Sequence, residues 1–247
     1  VTHLPGDNRS APMKNQLKIL MILTSSATMG ETNKSTGLWF EELATPYYAF
    51  LDAGASVTLA SIEGGPAPID PRSVKAGGEN EASVDRFLVD ETASKALNET
   101  LPVCAIDISE YDAVFLPGGH GTMWDLPESA ELAVLLRKAW ADGKVIAAVC
   151  HGPAGLVNVK DENGVPLVSG RRVTCFSDSE ERAAGLDEAV PFPLETRLRE
   201  LGGRYESIAD FQPFAIADGR LITGQNPASS ALTAKLMLEA LNGGEVL

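Results

Sequence analysis

Lys144–Asn158, KVIAAVCHGPAGLVN, opens as an apolar run and changes character at Cys150. Val145–Val149 has the composition of a strand buried on both faces. The run breaks at Cys150-His151-Gly152-Pro153 and resumes with the small, apolar spacing of a helix. A strand that turns directly into a helix leaves one residue at the apex. The residues two before and two after must be small so that the arms can pass, and here they are Ala148 and Gly152. This is the pattern of a nucleophile elbow with cysteine at its apex. A non-glycine residue at such a corner carries roughly 1–3 kcal/mol of backbone strain, which points to a site. At the mouth of a helix and next to His151, Cys150 is expected to shift from a free pKa of about 8.5 toward the thiolate. The same N–H groups can hold an oxyanion. The competing reading is a buried structural cysteine.

Upstream, Asp112–Pro117 (DAVFLP) reads as another buried strand, ending in Gly118-Gly119-His120-Gly121. Leu132, Leu135, Leu136, Ala139 and Trp140 then line one face of a helix that Gly143 stops. Leu17–Leu23 (LKILMIL) is the first strand, followed by the polar loop Thr24–Thr36. In GLWFEELATPYYAFLDAG, Leu43, Tyr47 and Phe50 share a helical face and Gly54 ends it. Pro46 leaves two versions open: a helix beginning there under a Thr45 cap, or a longer helix kinked by proline. Both put Glu41 and Glu42 near the helix entrance. Ser56–Ser61 is a second strand, and Ile62–Asn98 a Gly- and Pro-rich, lid-like excursion with a helical end.

Downstream, Val165–Leu167 and Arg171–Phe176 read as strands, SDSEERAAGL as a turn into a short helix, and Pro191–Leu201 as a further helix. Phe214–Ala217 and Arg220–Thr223 flank Asp218-Gly219 as a hairpin. Asn226-Pro227 opens a last helix to about Leu241. The alternation predicts an α/β fold: a flavodoxin-like three-layer α/β/α sandwich with a mostly parallel central sheet, one domain over residues 17–247 behind a flexible lead-in at 1–16. Ligands then gather beyond the carboxyl ends of the strands, where the Thr24 loop, Gly118-Gly119 and Cys150 all fall.

With 34 acidic against 20 basic residues, the formal charge is -14, and no basic stripe invites nucleic acid or anionic membranes. The longest early apolar run, Leu17–Leu23, is far short of the ~20 residues a membrane span needs. Cys104, Cys150 and Cys175 form no CxxC pair, so neither a disulfide framework nor a zinc site is indicated. The polar lead-in has no apolar signal core, and the expected compartment is the cytoplasm. Walker and GxGxxG loops are both absent.

FEELATP, LPGGHGTMWDLP and AVCHGPAGL together resemble the ThiJ/PfpI superfamily, within the class I glutamine amidotransferase-like fold. GGPAPIDP and TGQNPASS narrow the resemblance to its stress-inducible chaperone and glyoxalase III branch. The resemblance implies Cys150 as nucleophile and His151 as its acid/base partner. Glu42 is implied as the acid that contacts the cysteine, with Glu41 its nearest competitor. Glu181 is implied as the third triad member, ahead of Glu180 and Asp178. Gly118, Gly119 and the His151 amide are assigned to the oxyanion, and His120 and Trp124 to the pocket, although a tight turn, a loop wall and a core role are the respective alternatives. A carboxylate aimed at a thiolate would repel it, so Glu42 is expected to be protonated. Cys104 and Cys175 are expected to be structural. His3, His120 and His151 are the only histidines, and no catalytic metal or cofactor is expected. The implied activity is a cofactor-independent conversion of methylglyoxal and related 2-oxoaldehydes, small reactive aldehydes, to 2-hydroxy acids by a homodimer. The alternatives are a cysteine hydrolase or deglycase, and a holdase chaperone or oxidation sensor.

Overall fold

The computed structural model describes residues 15–76 and 78–243; most of the expected lead-in, with His3, lies outside the described residues. β1 (Lys18–Leu23) leads to α1 (Phe40–Asp52) and β2 (Ser56–Ser61). The excursion carries α2 (Ala82–Val89) and α3 (Glu91–Asn98) before the short β3 (Leu101–Pro102). Next come β4 (Ala113–Leu116), the single turn α4 (Thr122–Asp125), α5 (Ala130–Ala141) and β5 (Val145–Val149). The chain continues through β6 (Arg172–Val173), α6 (Asp178–Ala183), α7 (Leu194–Glu200) and β7 (Arg204–Tyr205), then the hairpin β8 (Ala215–Asp218) and β9 (Leu221–Gly224), and α8 (Ser230–Leu241).

The central sheet has seven strands in the order β3-β2-β1-β4-β5-β9-β8, and only β8 runs antiparallel. Its order reverses between β1 and β4, the kind of point where ligands bind in open α/β sheets. Side-chain alternation explains why the strands read as continuous apolar runs. Ile19, Met21 and Leu23 enter the core on one face with Val145, Ala147 and Val149. Leu20, Ile22, Ile146 and Ala148 enter the core on the other. Both faces are therefore dry, as a parallel sheet covered by helices requires.

Several elements differ from expectation for local reasons. α1 runs through Pro46, so the longer version of the helix holds, and the Glu42 carbonyl loses its usual partner four residues on. Val165–Leu167 forms no strand: Pro166 makes an isolated bridge with Lys160, and the Asp161 carboxylate accepts the Asn163 and Val165 N–H groups in a turn. Arg171–Phe176 contracts to β6, which pairs with β7 outside the main sheet. The Thr174 N–H goes to Thr223 Oγ1 and the Phe176 N–H to the Cys150 carbonyl, so neither serves a ladder. The excursion is packed, with Val84, Phe87, Ala93 and Leu97 buried against the aromatic side chains of α1. Among the described residues no helix is long and apolar enough to cross a membrane.

Candidate active site

Cys150 has φ of 60°, a left-handed conformation at the corner where β5 ends. Two backbone hydrogen bonds hold it there: its N–H donates to the Gly224 carbonyl and its own carbonyl accepts from the Phe176 N–H, each at 2.9 Å. The corner is tight. A Cβ on Gly152 would strike the Leu116 carbonyl oxygen, and one on Gly118 would sit 2.5 Å from Glu42 Oε2. Gly152→Ala is therefore expected to destabilise the fold by about 1–3 kcal/mol, the usual cost of overpacking. Thermal melts should register this as a fall of roughly 2–10 °C in Tm.

The segment after the elbow differs from the expected α-helix: Gly152–Leu156 is a 3-10 turn. So short a turn carries little aligned dipole, and the depressed thiol expected from a helix terminus is not found. Burial pushes the Cys150 thiol well up, and an ionised Glu42 would add to that push. Glu42 is itself fully buried in the first turn of α1. Burial holds its carboxyl well above the usual range, against the pull of Cys150 and of the Gly118 amide. Its Oε2 accepts the Gly118 N–H at 2.6 Å. Oε1 has no hydrogen-bond partner among the described residues, and the Cys150 thiol is the neighbouring group that draws the carboxyl's pKa back down. A neutral Glu42 resolves the conflict, because protonation removes the repulsion and supplies a donor toward sulfur. Glu41, its competitor, lines a neighbouring cavity instead; burial first, then Glu81, raises its pKa to about 7.

On the other side of the sulfur, His151 Nδ1 lies 3.3 Å from Cys150 Sγ. His151 Nε2 is 2.6 Å from Glu181 Oε2, so an Nε2–H donated to the carboxylate leaves the Nδ1 lone pair to receive the thiol proton. Glu181 is brought here by α6, whose start is fixed by a Ser177–Glu180 capping box. Glu180 points elsewhere, and the Asp178 carboxylate accepts from Thr196 Oγ1. Burial opposes ionisation of Glu181, but His151 and hydrogen bonds from both imidazoles hold its carboxyl well below the usual range.

The second imidazole is His120, whose Nε2 is 2.5 Å from Glu181 Oε1. Its Nδ1 faces Arg72 Nη2 at 3.3 Å; since arginine only donates, Nδ1 accepts and the ring proton sits on Nε2. Burial, then the neighbouring His151, lowers the His120 pKa to about 4 in spite of Glu181. Arg72 is in turn gripped by the buried Asp70 through Nε at 3.0 Å and Nη2 at 2.6 Å. One chain of contacts thus runs from Asp70 to the sulfur through Arg72, His120, Glu181 and His151. His120, expected as a wall residue, shares the carboxylate that orients His151.

His120, His151 and Glu181 also offer three buried ligand atoms within 4.8 Å of one another, a set that could hold a metal ion. Each of these atoms is already engaged with another of the three. A metal there would replace the hydrogen bonds between Glu181 and the two imidazoles.

A cavity of about 170 Å³ opens over the Cys150–His151 pair, walled by Trp39, Arg72, Phe176, Phe211 and Pro227. Gly119 lines it, and among the described residues neither the Gly119 nor the His151 amide N–H has an acceptor in the protein. Gly118 corrects the expectation: its amide is spent on Glu42 and is not offered to a ligand. Trp124 also departs from it, since its indole packs against Gly30 and the far-side core rather than lining the cavity. Arg72, Trp39, Phe176 and Phe211 were not singled out in the sequence. Arg72 is 48 residues from His120, and nothing local connects the two.

The sequence profile of the DJ-1/PfpI family matches residues 40–240. The glutathione-independent glyoxalase hsp3101 of Schizosaccharomyces pombe is 32% identical over 237 residues, covering 92% of this chain and 97% of its own. Among solved structures, the rapid encystment protein of Francisella tularensis superposes with a TM-score of 0.88 at 40% identity, covering 92% of this chain and 99% of that one. Glyoxalase III of Candida albicans superposes with a TM-score of 0.83 at 30% identity, covering 91% and 97%.

Proposed function

Because this chain belongs to the DJ-1/PfpI family, we propose that it is a glutathione-independent glyoxalase, converting methylglyoxal and related 2-oxoaldehydes to 2-hydroxy acids such as lactate. The observation that carries the reading is one sulfur held at a left-handed corner with an imidazole on one side and a buried carboxyl, its pKa raised by burial, on the other. Cys150, His151, Glu42 and Glu181 are the proposed catalytic groups.

In this reading the Cys150 thiol gives its proton to His151 Nδ1 as sulfur adds to the aldehyde carbon. The Gly119 and His151 amides receive the developing oxyanion, and His151 returns the proton to it, leaving a hemithioacetal. His151 then takes the hydrogen on carbon 1 while Glu42 protonates the carbonyl oxygen on carbon 2, which gives an enediol. His151 delivers its proton to carbon 2 and Glu42 recovers one from the oxygen on carbon 1. The product is a lactoyl thioester, with both groups back in their starting states. Water hydrolyses the thioester, releasing lactate and the thiol. A raised Glu42 pKa suits this task, because an acid that must donate near neutrality has to hold its proton until then.

Residues 17–247 act as one domain in this proposal, with Ile62–Asn98 as the wall that brings Arg72 to the pocket. The proposal includes a homodimer, supported by the superfamily resemblance, working in the cytoplasm, and sedimentation equilibrium measures the oligomeric state. The decisive experiment is lactate release from methylglyoxal by pure, reduced protein without glutathione. Release is the expected result, and none with Cys150 intact overturns the reading.

A further inference from the structure

Glu180 and Glu181 are consecutive on α6 and both buried, yet only Glu181 meets the histidines. The Glu180 carboxylate is directed at the segment over the cavity. Its Oε1 accepts the Phe211 N–H at 2.7 Å, Asn226 Nδ2 at 2.9 Å and Gln225 Nε2 at 3.2 Å, while Oε2 accepts the Ser177 N–H at 2.9 Å. Two of these partners also hold the same segment themselves. Gln225 bonds both the N–H and the carbonyl of Ile208, and Asn226 Nδ2 donates to the Gln212 carbonyl at 2.8 Å. The chain from Ile208 to Gln212 is thus fastened at both ends and at Phe211, through side chains that converge on one carboxylate oxygen.

Phe211 has φ of 59°, a conformation that a bulky residue takes only where its surroundings impose it. Its ring lies 6.1 Å from Phe176, whose ring is in turn 4.5 Å from His151. Phe211 lines the 170 Å³ cavity at Cys150 and also an adjoining one of about 270 Å³, and so do Trp39, Arg72 and Pro227. These four residues are common to the linings of both spaces. Half of the Phe211 side chain is nevertheless exposed, so burial alone does not account for its strained placement.

We propose that Phe211, fixed by Glu180, is the specificity-determining wall of the site. It confines the substituent on carbon 2 of a 2-oxoaldehyde to the inner cavity and excludes aryl and other bulky groups. Glu180 is a positioning residue for this wall, one step along the helix from the carboxylate that orients His151. The proposal rests on the glyoxalase reading for its substrates, but the shape of the wall can be measured without turnover.

The test compares kcat/KM for phenylglyoxal and methylglyoxal in the wild type, Phe211→Ala and Glu180→Gln. In parallel, Cys150 alkylation by N-benzyl iodoacetamide and by iodoacetamide is followed by peptide mass spectrometry. Phe211→Ala should raise the bulky-to-small ratio about tenfold or more in both assays, the scale at which pocket walls discriminate. Glu180→Gln, which keeps the volume but cannot accept all the same bonds, should move both ratios in the same direction and raise KM for methylglyoxal more than it lowers kcat. Phe211→Gly accepts the left-handed backbone without strain and serves as a second variant should the alanine form fold poorly. Unchanged alkylation ratios in the Phe211 variants overturn the wall. A shifted alkylation ratio in a protein that turns over neither aldehyde supports the wall and overturns the glyoxalase reading alone.

Discussion

Cys150→Ser is expected to cut lactate formation from methylglyoxal by roughly 10⁴-fold or more, the scale seen when a nucleophile is removed from an otherwise intact site. Serine is close to cysteine in size and is expected to take the φ of 60° that Cys150 has, so the backbone strain at the elbow should be common to both proteins. What changes is the atom. An alcohol holds its proton far more tightly than a thiol, and His151 Nδ1, placed 3.3 Å from the sulfur, no longer meets a group it can deprotonate readily. Thermal melts of the two forms should stay within about 1 kcal/mol of each other, separating lost chemistry from lost fold. Cys104 is exposed and Cys175 buried. Replacing Cys104 should leave the rate unchanged while removing the thiol that reagents find first, so alkylation must be resolved by peptide. A Cys150→Ser protein that still forms lactate at the parental rate would remove the sulfur from the mechanism.

Much of this site could be read along the chain because its central pieces are local. Ala148, Cys150 and Gly152 specify the elbow within five positions. Glu42 stood out from Glu41 only through the resemblance; in space the two diverge because consecutive helix positions point about 100° apart. The same offset separates Glu181, on the histidines, from Glu180, on Phe211. What stayed hidden depends on contacts between distant segments. Arg72 sits in the Pro-rich excursion with no periodicity to mark it, and its meaning appears only when Asp70 aims it at His120. The thiol's electrostatics were misjudged for a related reason. In place of the expected helix the segment after the elbow is a 3-10 turn with Pro153 beside Gly152, so little local dipole offsets the burial that raises the thiol. The groups that act on the sulfur are Glu42 from α1 and the elbow's own His151, which Glu181 from α6 orients.

Glu42→Gln should slow turnover by orders of magnitude while leaving the thiol reactive, and this pair of outcomes separates two roles for one carboxyl. Glutamine keeps a carbonyl oxygen for the Gly118 N–H, now accepted by Glu42 Oε2 at 2.6 Å, and offers an N–H toward Cys150 as the protonated acid does. It cannot give up or recover a proton. Lactate formation is therefore expected to fall by about 10²–10⁴-fold, the contribution of a general acid–base group. Alkylation of Cys150 by iodoacetamide should change only a few-fold. Stability should move the other way. Burial raises the folded-state pKa of Glu42 above its unfolded value, so the neutral acid's contribution is complete below the unfolded pKa and is lost as pH rises toward the folded one. Glutamine does not titrate. The variant should match the parent near pH 4 and gain on it by about 1.4 kcal/mol per pH unit through the window where only the unfolded carboxyl ionises. Melts at pH 4, 6 and 8 measure that slope. A flat difference across the three would mean that Glu42 is ionised in the folded protein, and a variant that keeps its kcat would mean that the protons travel through His151 alone.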